Sequence, residues 1–300
     1  MIKRTLYFGN NAYLHTKDEQ LIVDFADKEK PRAIVPIEDI GVVIMDAFQL
    51  TISQNLITKL LHNNVALISC DERHLPQGLM LNLDGNHVQS ERFQTQIAAS
   101  EPLKKNLWKY TVMTKIRNQA SVLESFGFET ENMTYWERSV NSGDTSNYEG
   151  RAAAYYWQCV FTDYVDGFVR GRYEAEPNSL LNYGYAILRA IAARSLVASG
   201  LLPTLGIHHH NKYNAYCLAD DIMEPYRPYV DMVVLEILES GVDISELTPD
   251  LKRQLLQIPV VDVVIEGKSS PLMIGMQRTT ASLNACFEGS ERKIKYPEIE

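Results

Sequence analysis

Residues 200–231 read GLLPTLGIHHHNKYNAYCLADDIMEPYRPYVD, and this stretch places three consecutive histidines before a dense group of carboxylates. Asp221 and Glu224 are three residues apart, so they share one face of a helix, and Asp220 flanks Glu224 from four residues away. Like charges at these spacings repel one another, and a divalent cation would relieve that repulsion. The stretch therefore predicts a metal site, with a solvated acidic helix as the alternative.

Acidic residues are concentrated in residues 219–250. Residues 219–250 contain nine Asp and Glu but one base, Arg227, against a formal net charge of −9 for the whole chain. Pro225 and Pro228 lack backbone N–H groups and clash with the preceding turn of a helix. A helix that continues through them is therefore predicted to kink at the carboxylates.

The composition is that of a globular protein. Three hundred residues, 45% of them hydrophobic, suffice for one or two domains with a buried core. The four cysteines, at positions 70, 159, 217 and 286, form no CxxC pair, which predicts free thiols in a reducing compartment. No run approaches the ~18 apolar residues that span a bilayer, and the first residues lack an apolar secretion segment, so we expect a cytoplasmic protein.

The sequence pattern predicts an α+β fold in two domains. Residues 1–84 contain short β-branched and aromatic segments separated by turns, which predicts a small β-sandwich-like domain. One helix, over residues 53–63 behind a Ser53 cap, interrupts these strands. Residues 85–100 are polar and lack a core period, so we interpret them as a linker. Residues 101–300 are predicted to form a larger, all-helical domain.

Several helices of the second domain have clear sequence signals. A helix with Pro102 in its first turn is predicted to run to about Phe126, with a buried face of Leu103, Leu107, Tyr110 and Thr114. Another begins near Glu149, and residues 178–200 are predicted to form the central buried helix. The segment VVDVVIEG at 260–267 is predicted to be a lone strand before a last helix.

Glu149 has two interpretations at this point. The sequence SNYE at 146–149 fits a capping box, in which Ser146 caps the helix and Glu149 bonds back to the backbone of Ser146. On this interpretation Glu149 is structural. The alternative is a functional carboxylate at the start of its helix.

Four segments, in order, carry a resemblance to a known family: NYEGRAAAYYW, NSLLNYGYAILRA, PTLGIHHH and LADDIMEPYRPYVD. Together with KIRNQ at 115–119, they resemble the Cas1 family, the CRISPR-associated integrases that insert new spacers into the repeat array for antiviral defence. The resemblance covers essentially the whole chain and is strongest to the members of type II systems.

The resemblance implies a site for catalysis and metal binding made by Glu149, His209 and Glu224. Because His208 and His210 adjoin His209, the assignment could be off by one residue, and His208 or His210 is the alternative ligand. Asp221 is either a further metal ligand or a neighbouring residue that holds the ligands in position. Two carboxylates and one imidazole suit Mg²⁺ or Mn²⁺.

The implied reaction is transesterification, in which a 3′-hydroxyl of one DNA end attacks a phosphodiester of another. If water attacks instead, the same site is an endonuclease of the hydrolase class. Two alternatives remain open: a metal-dependent nuclease that uses water only, and a non-catalytic scaffold that bridges DNA.

Basic residues concentrate in residues 101–120, and a single arginine, Arg151, lies two residues after Glu149. We predict DNA-backbone contacts for Lys104, Lys105, Lys115 and Arg151, with an ordinary solvated helix face as the alternative. The partners implied by the resemblance are double-stranded DNA (the protospacer and the CRISPR repeat), a second copy of the chain bound through the β domain, and the small adaptation protein Cas2. No membrane partner is expected.

Overall fold

The computed structural model describes residues 3–27, 29–171 and 174–299, and the chain divides after Gln89 into two compact units. The N-terminal unit contains eight strands and one helix within the described residues: β1 (Arg4–Phe8), β2 (Ala12–Lys17), β3 (Gln20–Phe25), β4 (Ala33–Pro36), β5 (Ile40–Met45), β6 (Thr51–Ile52), α1 (Gln54–His62), β7 (Ala66–Cys70) and β8 (Pro76–Met80).

The strands of the N-terminal unit form two four-stranded sheets, in the orders β1-β5-β7-β8 and β4-β3-β2-β6. Both sheets mix parallel and antiparallel pairs. The Ser53 side chain accepts a hydrogen bond from the Leu56 N–H, which confirms the predicted cap. Leu56 and Leu60 of α1 lie in one buried cluster with residues of both sheets, such as Leu14 and Val43. The β character is therefore confirmed, whereas the specific sandwich arrangement is not.

The C-terminal unit is mainly helical. Its elements are α2 (Gln89–Ile97), which begins at the boundary, α3 (Glu101–Ser125), α4 (Glu131–Ser139), α5 (Tyr148–Cys159), α6 (Asn178–Ala198), α7 (Cys217–Met223), α8 (Arg227–Glu239), α9 (Pro249–Leu255), β9 (Asp262–Ile265), β10 (Lys268–Pro271) and α10 (Leu272–Phe287). Short 3-10 turns lie at Ser142–Asp144, Glu224–Tyr226 and Ile258–Val260.

The predicted linker and the predicted all-helical character both need correction. Residues 89–97 form α2, and Gln96 is buried with its amide donating to the carbonyls of Leu202 (3.1 Å) and Leu205 (3.2 Å). Because the buried position of this helix holds a glutamine, its sequence shows no hydrophobic periodicity, and the helix was not predicted. The predicted lone strand is β9, and it pairs with β10 as an antiparallel hairpin.

The long helix α3 confirms its predicted start but not its predicted buried face. Ser100 caps it, with its side chain accepting from the Leu103 N–H. Of the predicted face only Leu107 is buried. The buried residues of the helix are Leu107, Trp108, Thr111, Val112, Lys115, Ile116, Asn118, Gln119, Ala120, Val122 and Leu123. The true face is therefore rotated around the helix, and it includes a lysine.

The predicted central helix is confirmed as α6, whose buried residues line nearly its full length. Beside it, Asp231 of α8 accepts hydrogen bonds from the hydroxyls of Tyr156 (2.9 Å) and Tyr185 (2.5 Å). Burial raises the pKa of Asp231 to about 6, although both tyrosine hydrogen bonds oppose the shift. This buried carboxyl group joins α5, α6 and α8.

Two further expectations concern cysteines and membranes. No disulfide joins any of the four cysteines, all of which lie in the described ranges. Among the helices of those ranges, none is both long and apolar enough to cross a bilayer.

Candidate active site

Two predicted site residues from distant segments meet at one lysine. Glu149 is in the first turn of α5, and Glu224 begins the 3-10 turn after α7. The Lys115 ammonium of α3 lies 2.7 Å from Glu149 Oε1 and 2.6 Å from Glu224 Oε2. The tertiary structure therefore brings these two carboxylates together around a single positive charge.

The start of α5 shows that Glu149 is not a capping residue. Asn147, with a left-handed φ of 52°, is the N-cap, and its side chain accepts from the Gly150 N–H. Asp144 accepts from the N–H groups of Tyr148 (3.0 Å) and Glu149 (2.9 Å). The capping box with Ser146 is therefore wrong, because Asp144 and Asn147 already satisfy the donors at this helix end. The Glu149 carboxylate is left to pair with Lys115.

Gly150 has a steric reason to follow Glu149. A Cβ at position 150 would lie 2.7 Å from the Asn147 amide, closer than carbon packing allows. The Glu-Gly pair thus combines the carboxylate that meets Lys115 with the space that the asparagine cap requires.

The Glu224 carboxylate is buried and held by two bases. It is 5% exposed, and its Oε1 accepts from Arg227 Nε at 2.8 Å. Its Oε2 contacts the Lys115 ammonium but forms no well-aligned hydrogen bond with any described residue. Burial by itself would raise the pKa of Glu224, but Arg227 and Lys115 outweigh it and lower that pKa to about 2. Glu224 is therefore ionised at neutral pH.

The helix breaks at the carboxylates as the prolines predicted. The 3-10 turn Glu224–Tyr226 separates α7 from α8, and Pro225 is in that turn. The alternative of a solvated acidic helix is wrong, because Asp220, Asp221 and Glu224 are all buried. Asp220 is neutralised by Arg189, whose Nε lies 2.6 Å from Oδ1.

Asp221 organises the histidine loop. Its Oδ2 accepts from the N–H groups of Ile207 (2.7 Å) and His208 (2.9 Å), and its Oδ1 accepts from the His209 N–H (3.3 Å). The same Oδ1 lies 2.5 Å from His209 Nδ1. Asp221 is fully buried and its carboxylate accepts four hydrogen bonds. This geometry is that of a residue that positions His209 rather than that of a metal ligand.

Gly206 allows the loop to approach this carboxylate. A Cβ there would lie 2.4 Å from the His209 carbonyl oxygen and 2.8 Å from Asp221 Oδ2. Any larger residue at position 206 would push the loop away from Asp221.

The three histidines have different environments, and these environments indicate which of them could bind a metal ion. The His208 ring stacks flat on the buried Trp108, with centroids 4.2 Å apart, and burial lowers the pKa of His208. His209 has Nδ1 engaged by Asp221, so that its Nε2 remains available, and the bond to Asp221 raises the pKa of His209. All three residues are exposed, and His209 and His210 both line a cleft of about 400 Å³. Of the three, His209 has the oriented imidazole that a ligand requires.

The residue types at this site suit a divalent cation, although the Lys115 ammonium lies between the two carboxylates that would bind it. Within the described ranges, no three His, Cys, Asp or Glu side chains converge closely enough to hold a metal ion. The donor set nevertheless suits Mg²⁺ or Mn²⁺, and the buried Glu224 Oε2 meets the Lys115 ammonium at 2.6 Å without a well-aligned hydrogen bond from any described residue. Glu149 and Glu224 already hold one positive charge between them.

Lys115 was assigned to the DNA-binding surface from the sequence, and that assignment needs correction. Its side chain is buried, since it lies three residues after Val112 and four after Thr111 on the inward face of α3. Burial opposes its positive charge, but Glu224 and Glu149 outweigh this effect and raise the pKa of Lys115. Counting helical positions from the buried Trp108 would have revealed it. Arg189 and Arg227 were missed too. Arg227 follows Glu224 by three residues, a spacing that indicates such a pair, whereas Arg189 meets Asp220 from a distant helix and spacing does not show it.

The other predicted DNA contacts remain on the surface. Lys105 and Arg151 are exposed, and the Arg151 guanidinium lies over the Tyr148 ring, 5.1 Å from its centroid. Lys104 pairs with Glu101 at 3.2 Å and lines the cleft beside His209 and His210.

Comparison with known proteins gives consistent matches over the whole chain. The family described as CRISPR associated protein Cas1 matches residues 6–256. The CRISPR-associated endonuclease Cas1 of Neisseria meningitidis serogroup C (strain 8013) is 35% identical over 302 residues, which covers 100% of this chain and 97% of that protein.

Solved structures share the fold. A casposase bound to integration product matches with a TM-score of 0.83 and 20% identity, over 100% of this chain and 95% of that one. A Cas6-RT-Cas1–Cas2 complex matches with a TM-score of 0.78 and 18% identity, over 100% of this chain and 37% of that one. These similarities place the chain among the CRISPR-associated proteins. More narrowly, it belongs to the Cas1 family.

Proposed function

We propose that this chain is a Mg²⁺- or Mn²⁺-dependent DNA integrase that inserts new spacers into a CRISPR array. The observation that carries the proposal is the convergence of Glu149 and Glu224 on one positive charge. The oriented imidazole of His209 supports it further. Membership of the Cas1 family and the fold shared with a casposase bound to integration product also favour DNA joining.

Glu149, Glu224 and Nε2 of His209 would hold the cation. When bound, Mg²⁺ or Mn²⁺ supplies polarisation of the scissile phosphodiester and a lower pKa for the attacking hydroxyl. Asp221 holds the His209 ring by Nδ1 and keeps Nε2 as the free nitrogen. Arg227 keeps the Glu224 carboxylate in place and ionised.

The proposed reaction needs no covalent protein nucleophile. The 3′-oxygen of a donor end forms a bond to phosphorus of the target strand, and the bond from that phosphorus to the target's own 3′-oxygen breaks. The proton of the attacking hydroxyl leaves to solvent, and the departing 3′-oxygen takes one up. Attack by water in place of the hydroxyl gives hydrolysis by the same residues.

The proposed DNA path follows exposed positive charge. Lys105 and Arg151 offer backbone-phosphate contacts, and Lys104 lines the cleft next to His209. We include in the proposal a homodimer formed through the N-terminal unit and a complex with Cas2. The fold shared with a Cas6-RT-Cas1–Cas2 complex supports the latter partner.

A joining assay tests the proposal. The full chain with its partner, a free-ended duplex and a supercoiled repeat plasmid should give a joined product that EDTA abolishes. Glu149→Ala, His209→Ala and Glu224→Ala should each bind DNA close to normally and give no joined product, because each lacks a ligand of the cation that offsets charge on the scissile phosphate.

The alternatives predict other results in the same assay. Strand cutting without joined product would indicate a nuclease that uses water only. DNA binding that ignores EDTA, with neither cutting nor joining, would indicate a scaffold. Joining by all three alanine variants at the wild-type rate would refute the proposed site.

A further inference from the structure

Lys115 is the residue of the site whose role the proposed reaction does not explain. Lysine is rarely buried unless it is paired, and Lys115 is 8% exposed with its ammonium between two carboxylates. It therefore occupies the position between Glu149 and Glu224 that a metal ion would share.

We propose that Lys115 is a built-in substitute for the divalent cation, which holds Glu149 and Glu224 together in the metal-free protein and is displaced when Mg²⁺ or Mn²⁺ binds. This inference rests on the proposed metal-dependent function. It adds to that function a competition between a side chain of the protein and the metal ion.

The charges at the site support a competition. Glu149 and Glu224 carry two negative charges, and Lys115 and Arg227 carry two positive charges in contact with them. The group is therefore balanced without a metal ion. A divalent cation added at the same point would repel an ammonium that stayed a few ångströms away, and this repulsion is strong in a buried site.

The two bases differ in how easily they can leave. Arg227 bonds Glu224 Oε1 through Nε, and its guanidinium packs over the Tyr185 ring, 4.6 Å from the centroid. Lys115 ends in a compact charge on a flexible four-carbon stem. Lys115 donates one hydrogen bond, to Glu149 Oε1 at 2.7 Å, whereas its close contact with Glu224 Oε2 is not a well-aligned hydrogen bond, so the ammonium gives up one directional bond when it moves.

Such a substitute also protects the metal-free fold. Glu224 is buried, and removing a partner from a buried carboxylate is strongly destabilising. With Lys115 in place, the two glutamates stay close together before any metal arrives, although they come from separate elements.

Lys115→Met tests this inference, because methionine keeps a long apolar stem and removes the charge. Mn²⁺ binding to the full chain is followed without DNA by the electron paramagnetic resonance signal of free Mn²⁺, and thermal unfolding is followed in EDTA and in Mn²⁺. We expect half-saturation at a Mn²⁺ concentration about tenfold lower than for the wild type. In EDTA the variant should unfold at a temperature lower by about 5 °C, and Mn²⁺ should reverse most of this loss.

Lys295→Met is the matched control. Lys295 also lies between two glutamates, 3.1 Å from Glu291 and 3.5 Å from Glu266, but its side chain is more exposed. This control should leave Mn²⁺ binding unchanged. If Lys115→Met does not fold, Lys115→Gln removes the charge with a polar side chain and should show the same tenfold change.

The outcomes separate the inference from the function on which it rests. Mn²⁺ binding that is equal or weaker in the Lys115 variant would overturn the inference and leave the metal-dependent function standing. Absence of Mn²⁺ binding in the wild type and in both Lys115 variants would overturn the function and the inference together. Tighter binding in the Lys295 control as well would also refute the inference, since the effect would then be one of net charge.

Discussion

Asp221→Asn is the sharpest test of how the site is positioned. The Asp221 carboxylate accepts from three backbone N–H groups and approaches His209 Nδ1. An asparagine keeps one acceptor oxygen, and its NH₂ group faces the other donors without being able to accept. Two of the four bonds are therefore removed, whichever way the amide is turned.

The magnitude follows from these two bonds. A hydrogen bond to a charged group contributes about 1.5–3 kcal/mol, and the loop can relax, so we take the lower end for each. The free energy of unfolding should fall by about 3 kcal/mol in urea titrations. Joining should fall sharply while DNA binding persists, because either the His209 ring loses its Nδ1 partner or the loop that carries His209 loses its bonds from the Ile207 and His208 N–H groups.

Asp220→Asn is the control for this experiment. Asp220 is the neighbour of Asp221, and its bidentate partner Arg189 is 43% exposed, so the pair that this variant breaks is screened by solvent. This variant should be destabilised less than Asp221→Asn and should retain joining. If Asp221→Asn were as stable and as active as the wild type, the assignment of Asp221 as the residue that positions His209 would be refuted.

Two further predictions concern DNA affinity and pH. Replacing Lys105 and Arg151 together by alanine should weaken DNA binding and reduce the slope of log affinity against log salt by about 0.9 for each phosphate that the variant no longer neutralises. Alanine at the exposed Arg253 is the control and should leave the slope unchanged. An unchanged slope in the double variant would show that DNA does not contact Lys105 and Arg151. Because burial raises the pKa of Asp231 from 3.8 to about 6, the folded protein binds its proton more tightly than the unfolded chain. This carboxyl group should therefore destabilise the fold progressively as pH rises from about 4 to 6. Urea titrations across that range should show a smaller pH dependence of stability in Asp231→Asn, and an identical dependence would show that Asp231 does not titrate there.

Local signals in the sequence were reliable where the chemistry is local. The Ser53 cap and the break in the helix at Pro225 depend on neighbours within one turn, and both are confirmed. The hairpin of β9 and β10 was half predicted, because its first strand has a β-branched pattern and its second, Lys268–Pro271, does not.

Packing decided the features that the sequence missed. Ser146 and Asn147 are both good caps, and only the left-handed backbone at Asn147, with Asp144 behind it, selects one of them. Helix α2 carries a buried glutamine whose partners are the distant carbonyls of Leu202 and Leu205. A buried polar residue disturbs hydrophobic periodicity, so such a helix is visible only when its partners are known.

The features of the candidate site also separate into those that the sequence indicates and those that depend on packing. By itself the sequence determined a β region followed by a helical region, a break at the carboxylates, and, through its resemblance to the Cas1 family, which residues to expect in the site. The tertiary structure alone decided that Glu149 and Glu224 meet at Lys115, that Asp221 holds His209, and that Arg189 neutralises Asp220. The physical reason is that hydrogen bonds and charge pairs act over a few ångströms in space. Separation along the chain does not reveal which distant side chains the packing of α3, α5 and α7 will bring within that range.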